Sequence, residues 1–316
     1  MEDILEELAT EYLQGTKQTE FVKAFERISL RYRMESGRFL QTEEERKAYL
    51  FTRLPATFAV ACKVLEEVKN RVPNIELDSL LDVGAGPGTG MWATSRIFPD
   101  LARVTLLEKD PLFMELGKEL AHRSSSSVIQ QAAWQRCDME KAFSAPLSDL
   151  VVLSYSIGET DESSWPDLCK RLWGTTNKAL VIIEPGTPKG YGRLMKLRSM
   201  MLSLGAYLWA PCPHSLPCPL ERGDWCHFPA RVARSSLHRK LKSADLGYED
   251  EKFSYLVFGK RPIISYKARV IRKPLLHSGW LECITCQESG VKKEVFSKKE
   301  GEEYKKKKKL EWGDNF

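Results

Sequence analysis

No apolar run in these 316 residues is long enough to cross a bilayer, so no membrane partner is expected. The opening residues, Met1-Glu2-Asp3-Ile4-Leu5-Glu6-Glu7, lack the basic and apolar character of a secretory signal and the arginines of a transit peptide. A cytoplasmic location is expected, or a mitochondrial one if a presequence has been removed. Repeats and low-complexity tracts are missing apart from the lysines at 305–309, which leaves no sign of a repeat architecture. Cysteine is not scarce. Eight cysteines in a chain read as intracellular argue for metal or redox chemistry over disulfides.

The net charge of +5 conceals an asymmetry. Residues 187–280 carry 17 basic and 6 acidic side chains, whereas 1–79 and 80–186 are each net acidic. A local excess of that size faces a polyanion, RNA or DNA, or else serves as a solubilising surface.

Apolar residues recur at helical spacing at Ile4, Leu5, Leu8 and Tyr12, and again at Phe21, Ala24, Phe25 and Ile28. Leu54-Pro55 interrupts the pattern and 56–68 resumes it. Residues 1–70 are therefore read as a helical lead-in. Then Ser79-Leu80-Leu81-Asp82-Val83 reads as a short strand, followed at once by Gly84-Ala85-Gly86-Pro87-Gly88. A helix is expected over 91–98 and a second strand over 102–108, ending on Glu108. Further strands are expected over 150–155 and 178–184. Glycines permit a tight turn and close backbone approach to a ligand, and an acid at the second strand end can accept hydrogen bonds from ribose hydroxyls.

The run Asp82 to Gly88 resembles the first motif of class I S-adenosylmethionine-dependent methyltransferases, including its leading acid. The expected fold is accordingly α/β and Rossmann-like, occupying 71–252. Asp82, Gly84, Ala85, Gly86, Gly88, Glu108 and Asp138 are the expected cofactor contacts, with Glu108 on the ribose and Asp138 beside adenine. Cys137 is placed near that pocket, and Cys62 and Cys169 read as inert core residues. The catalytic residues are not apparent. Amino-directed enzymes carry Asn or Asp, Pro-Pro and an aromatic residue after the fourth strand, where this chain has Ser154-Tyr155-Ser156-Ile157-Gly158-Glu159-Thr160. A nucleophilic cysteine near that strand is also missing. Glu159 is a candidate base or substrate-orienting group, with a plain surface or hinge role as the alternative.

The cysteine-rich stretch 210–228 reads Ala210-Pro211-Cys212-Pro213-His214, then Cys218-Pro219-Leu220 and Trp225-Cys226-His227-Phe228. Its prolines exclude a regular helix or central strand. Thiolates in such a loop suit a soft metal or an iron–sulfur cluster. Zinc on these cysteines, or on three of them with His214 or His227, is the rival, although gaps of five and seven residues fit the paired spacing of zinc sites poorly. Residues 253–316 read as a β-rich unit, with a barrel among the arrangements open to it, whose Tyr266, Trp280 and Trp312 could stack on bases or form its core.

Together with Ile183-Glu184-Pro185-Gly186-Thr187-Pro188-Lys189-Gly190 and Lys309-Leu310-Glu311-Trp312-Gly313-Asp314, these stretches resemble the methyltransferase-like family of mitochondrial small-ribosomal-subunit proteins and assembly factors. The chain is read as a bacterial-type relative of that family. The resemblance implies a 4Fe–4S cluster on four cysteines, three in the loop and one near the C-terminus. It also implies action on small-subunit rRNA or the small ribosomal subunit precursor. The family's last cysteine ends a strand just before a turn, which selects Cys286, with Cys283 as the fallback. Strand alternation puts these two on opposite faces. Relatives often carry Asn where this chain has Gly158. The expected function is thus ribosome assembly by an S-adenosylmethionine-binding, iron–sulfur, rRNA-binding protein, and the alternative is an active rRNA methyltransferase.

Overall fold

The computed structural model describes residues 1–15, 42–233 and 247–316, with six positions between 23 and 30. Ala24 and Ile28 are fully buried, whereas Phe21 and Phe25 lie outside the described residues. So do Arg234, Arg239, Lys240 and Lys242 of the basic segment.

Among the described residues eight strands form the main sheet: β1 (Ser79–Val83), β2 (Arg103–Glu108), β3 (Ala133–Arg136), β4 (Ser148–Ser154), β5 (Thr176–Pro185), β6 (Tyr207–Ala210), β7 (Phe228–Ala233) and β8 (Tyr248–Gly259). Their order is β3-β2-β1-β4-β5-β8-β6, with β7 paired to the first half of β8. Strands β1 to β5 are mutually parallel. β8 is antiparallel to β5, β6 and β7, so β6 runs with the parallel set.

A parallel sheet must be covered on both faces, and its central strands are apolar throughout. β1 is buried at all five positions. Alternation then sends Leu80, Leu150, Val152, Ala179, Val181 and Ile183 to one core. Leu81, Val83, Val151, Leu153, Leu180 and Ile182 go to the other. The first core is closed by the N-terminal helices, chiefly Leu54–Arg71, which takes Pro55 in its first turn, where a missing N–H costs nothing. Removing its fully buried Leu65 side chain down to Ala costs about 2–5 kcal/mol. Helices Trp165–Thr175 and Pro188–Ser203 close the second core.

A separate antiparallel sheet contains β9 (Ala268–Val270), β10 (Leu275–His277), β11 (Trp280–Gln287) and β12 (Gly290–Ser297). The turn between β11 and β12 closes on Gly290, whose φ of +116° a side chain would oppose. Leu281, Cys283, Phe296 and Tyr304 form its small core. Two details differ from the sequence reading. Tyr255, Leu256, Val257 and Phe258 belong to β8 of the main sheet and not to the C-terminal unit, because the second half of β8, residues 253–259, pairs with β5. The C-terminal unit is an open sheet rather than a barrel. Among the described residues no single helix is long and apolar enough to cross a membrane.

Candidate cofactor site and cysteine cavity

The turn after β1 is held by its own backbone: the amides of Gly84 and Ala85 both donate to the Leu107 carbonyl at the end of β2, at 2.8 and 3.1 Å. Gly86 has φ +55°, and a Cβ there would meet nothing within 4 Å, so its backbone faces open space. Glu108 is buried; its Oε2 accepts from the Gly86 amide at 2.7 Å and its Oε1 from the Asp110 amide at 2.8 Å. Burial raises its carboxyl above the ordinary range, while those amides pull it back. The structure thus brings Glu108 and the glycine turn together.

Asp82 lies beneath them, fully buried against the first turn of the helix Thr89–Ile97. A Cβ on Gly90 would lie 2.6 Å from Asp82 Oδ2, so the close approach requires glycine. The Gly90 and Met91 amides are near enough to favour the charge, but neither carboxylate oxygen completes a hydrogen bond among the described residues. Burial dominates and pushes Asp82 up to about 7. Asp138 is more open and accepts from the Glu140 amide at 3.2 Å. Cys137 is half-buried and packs against the second core.

Beyond β4, Tyr155 holds φ +55°, an uncommon conformation for a residue with a side chain, costing about 1–3 kcal/mol. Its buried hydroxyl has no hydrogen-bond partner among the described residues. The turn Ile157–Glu159 follows. The Arg193 guanidinium packs on Gly158, where a Cβ would come within 2.9 Å of it, and pairs with buried Glu184 at 2.9 Å. Glu159 lies 3.7 Å from Lys109, and burial raises its carboxyl.

The cysteine loop is inserted between β6 and β7 and lies between the two sheets. Cys212, Cys218 and Cys226 line a cavity together with Cys286 of β11. Cys283 points to the opposite face, into the small C-terminal core. Several contacts position the loop. Arg198 donates to the carbonyls of His214 and Leu216 at 3.0 and 2.8 Å. Ser254 donates to the Cys226 carbonyl at 2.7 Å, and Trp225 to the Gly186 carbonyl at 2.9 Å. Tyr191 donates to Cys218 Sγ at 3.1 Å. Arg269, only 2 % exposed, donates to the Pro211 and Gly313 carbonyls and pairs with Glu67, tying loop, C-terminus and N-terminal helix together. Tyr191, Arg198 and Arg269 carry no local sequence signal, since each acts through contacts distant in the chain.

Burial pushes the Cys226 thiol well above its ordinary value and Cys286 up to about 12, with neighbouring thiols adding to both. Burial also raises Cys212, against the pull of nearby Arg198. His214 Nε2 lies 3.9 Å from Cys286 Sγ, whereas His227 stacks on Trp225 and meets Trp312 edge-on. Among the described residues no three or more Cys, His, Asp or Glu groups converge closely enough to hold a single metal ion. Tyr266 is engaged by Arg71 and Arg269, while Trp280 stacks on His277 with ring centroids 3.7 Å apart.

Five parallel strands, an antiparallel strand β8 inserted beside β5, a glycine turn after β1 and an acid ending β2 define a class I S-adenosylmethionine-dependent methyltransferase fold with a helical N-terminal part. Solved structures similar to it include a TehB-like methyltransferase from Corynebacterium glutamicum, 15 % identical with a TM-score of 0.41, covering 64 % of this chain and 87 % of that one. Magnesium protoporphyrin IX methyltransferase from Synechocystis is 10 % identical with a TM-score of 0.43, covering 73 % and 93 %. The strand order, not these distant matches, defines the fold.

The chain belongs to the mitochondrial small ribosomal subunit Rsm22 family, whose model matches residues 43–316. It is 24 % identical to the Rsm22-cox11 tandem protein 2, mitochondrial, of Schizosaccharomyces pombe, over 92 % of this chain and 45 % of that protein. It is 25 % identical to the human ribosome assembly protein METTL17, mitochondrial, over 74 % of this chain and 53 % of that protein. The chain therefore spans about half the length of the curated relatives it matches. Both relatives are mitochondrial, and the expectation of a cytoplasmic location finds no support in them.

Proposed function

We propose that this protein is a mitochondrial-type assembly factor of the small ribosomal subunit that binds rRNA or its precursor, holds a 4Fe–4S cluster on Cys212, Cys218, Cys226 and Cys286, and binds S-adenosylmethionine. The observation that carries the reading is that four thiols from two distant segments line one cavity between the two sheets. Four-coordinate zinc needs its donors to converge on one ion at about 2.3 Å from each sulfur. Thiols spread around a cavity suit a larger, multi-iron group. When bound, such a cluster supplies iron–thiolate links between the loop and β11, and the basic segment around the loop would be held in register with the C-terminal sheet.

For S-adenosylmethionine, the glycine turn leaves open space at Gly86, and the Glu108 carboxylate beside it, fixed by the Gly86 amide, is the acceptor that ribose hydroxyls require. Bound there, the cofactor supplies an electrophilic methyl group. Methyl transfer to rRNA is the second reading, favoured by the intact glycine turn. Against it, the turn after β4 lacks the Asn or Asp, Pro-Pro and aromatic residue of amino-directed enzymes and instead carries Arg193 packed on Gly158.

The test compares anaerobically purified protein with cluster-free, folded protein for binding to the small-subunit rRNA precursor across a salt series. Steep loss of affinity with salt is expected, because phosphate contacts release counterions. Weaker binding is expected without the cluster. Equal affinity and equal salt slope for the two forms would remove the cluster from the binding role. Methyl transfer from labelled cofactor to the rRNA would favour the second reading.

A further inference from the structure

The helix Pro188–Ser203 starts at the end of β5, capped by the Thr187 side chain, which accepts from the Gly190 amide. Gly190 sits so close to the strand that a Cβ would lie 2.2 Å from the Pro185 carbonyl oxygen. This contact pins the first turn and fixes where the next side chain, Tyr191, points. Tyr191, Leu194, Met195 and Arg198 follow at spacings of three and four, so they share one helix face. The first three line the cysteine cavity. Arg198, 4 % exposed, spans the loop carbonyls of His214 and Leu216 and reaches towards Cys212. The Tyr191 ring would pack equally well as phenylalanine. What the hydroxyl adds is its contact with Cys218 Sγ at 3.1 Å.

We propose that Tyr191 is a positioning residue for Cys218, and that its hydrogen bond to the sulfur sets the reduction potential of the iron–sulfur cluster held there. The inference rests on the cluster reading above. A donor to a thiolate sulfur withdraws electron density from it. The reduced, more negative state of a cluster gains more from that than the oxidised state, so the bond raises the potential.

The test uses anaerobically purified holo-protein carrying Tyr191→Phe, with Tyr207→Phe, a tyrosine outside the cavity, as control. Iron and inorganic sulfide content should match the parent. The midpoint potential in a dithionite titration should move to a more negative value, and an iron–thiolate stretching band should move to higher frequency. The control should change neither. Introducing 3-fluorotyrosine at position 191, a stronger donor of similar shape, should move the potential the other way; this arm decides the matter if Tyr191→Phe loses its iron. An unchanged potential and an unchanged band in a fully loaded Tyr191→Phe, or no shift with 3-fluorotyrosine, would overturn the proposal. A parent protein without iron or sulfide would instead overturn the cluster reading itself, and this proposal with it.

Discussion

Replacing Asp82 with Asn should make the protein more stable at alkaline pH and leave it little changed in acid. The carboxyl is fully buried, its two oxygens lack completed hydrogen bonds among the described residues, and its value rises from 3.8 to about 7. That displacement corresponds to about 4 kcal/mol, at 1.36 kcal/mol for each pH unit between the two values. The sign follows from proton linkage. A raised folded-state value means that the folded protein holds the proton more tightly than the unfolded chain. The relative stability from that proton is fully present below 3.8 and is lost as pH rises through about 7. Between about pH 5.5 and pH 8 the parent should therefore lose about 2 kcal/mol that Asp82→Asn retains. Such a difference amounts to a divergence of about 4 °C in melting temperature, read by calorimetry on the two proteins in matched buffers. Parallel melting curves across that range would refute the picture of Asp82 as a carboxylate buried at a cost.

Arg269→Ala should destabilise the protein by about 3–5 kcal/mol in denaturant titration, because it strands Glu67 and the carbonyls of Pro211 and Gly313. The loss should be accompanied by early proteolysis of the C-terminal sheet; an unchanged midpoint would contradict the role assigned to this guanidinium. Glu108→Ala should weaken S-adenosylmethionine binding by about 1–3 kcal/mol in calorimetry, through loss of a charged acceptor that also organises the Gly86 amide. If the parent shows no binding at all, the glycine turn is a scaffold only.

The parallel strands β1, β2, β4 and β5 were legible because burial makes them largely apolar runs, whereas β3, polar and mostly exposed at the sheet edge, carried no such run and was missed. β4 and β5 lie within one or two residues of where those runs suggest. The same rule misplaced β8. Its Tyr255-Leu256-Val257-Phe258 stretch is equally apolar, but composition does not say which sheet a strand joins, and the long-range pairing with β5 decides it. The alternation of β11 was readable, and it sends Cys286 into the cavity and Cys283 into the C-terminal core. The residues that shape the cavity were not readable. Arg269 meets Glu67 across about two hundred residues, and Tyr191 meets Cys218 across 27, so neither has a spacing that a sequence pattern can carry. Arg193 on Gly158 was hidden for the same reason.

The most direct test of the cysteine site is the iron and inorganic sulfide content of three proteins purified anaerobically from iron-replete cells: the parent, Cys286→Ser and Cys283→Ser. The parent should carry about four irons per chain, as a 4Fe–4S cluster on four thiolates requires. Cys286→Ser should lose iron or hold it labilely, and Cys283→Ser, altered on the opposite face of the same strand, should keep it. Zinc without iron in the parent, or loss of iron from Cys283→Ser and not from Cys286→Ser, would contradict the assignment.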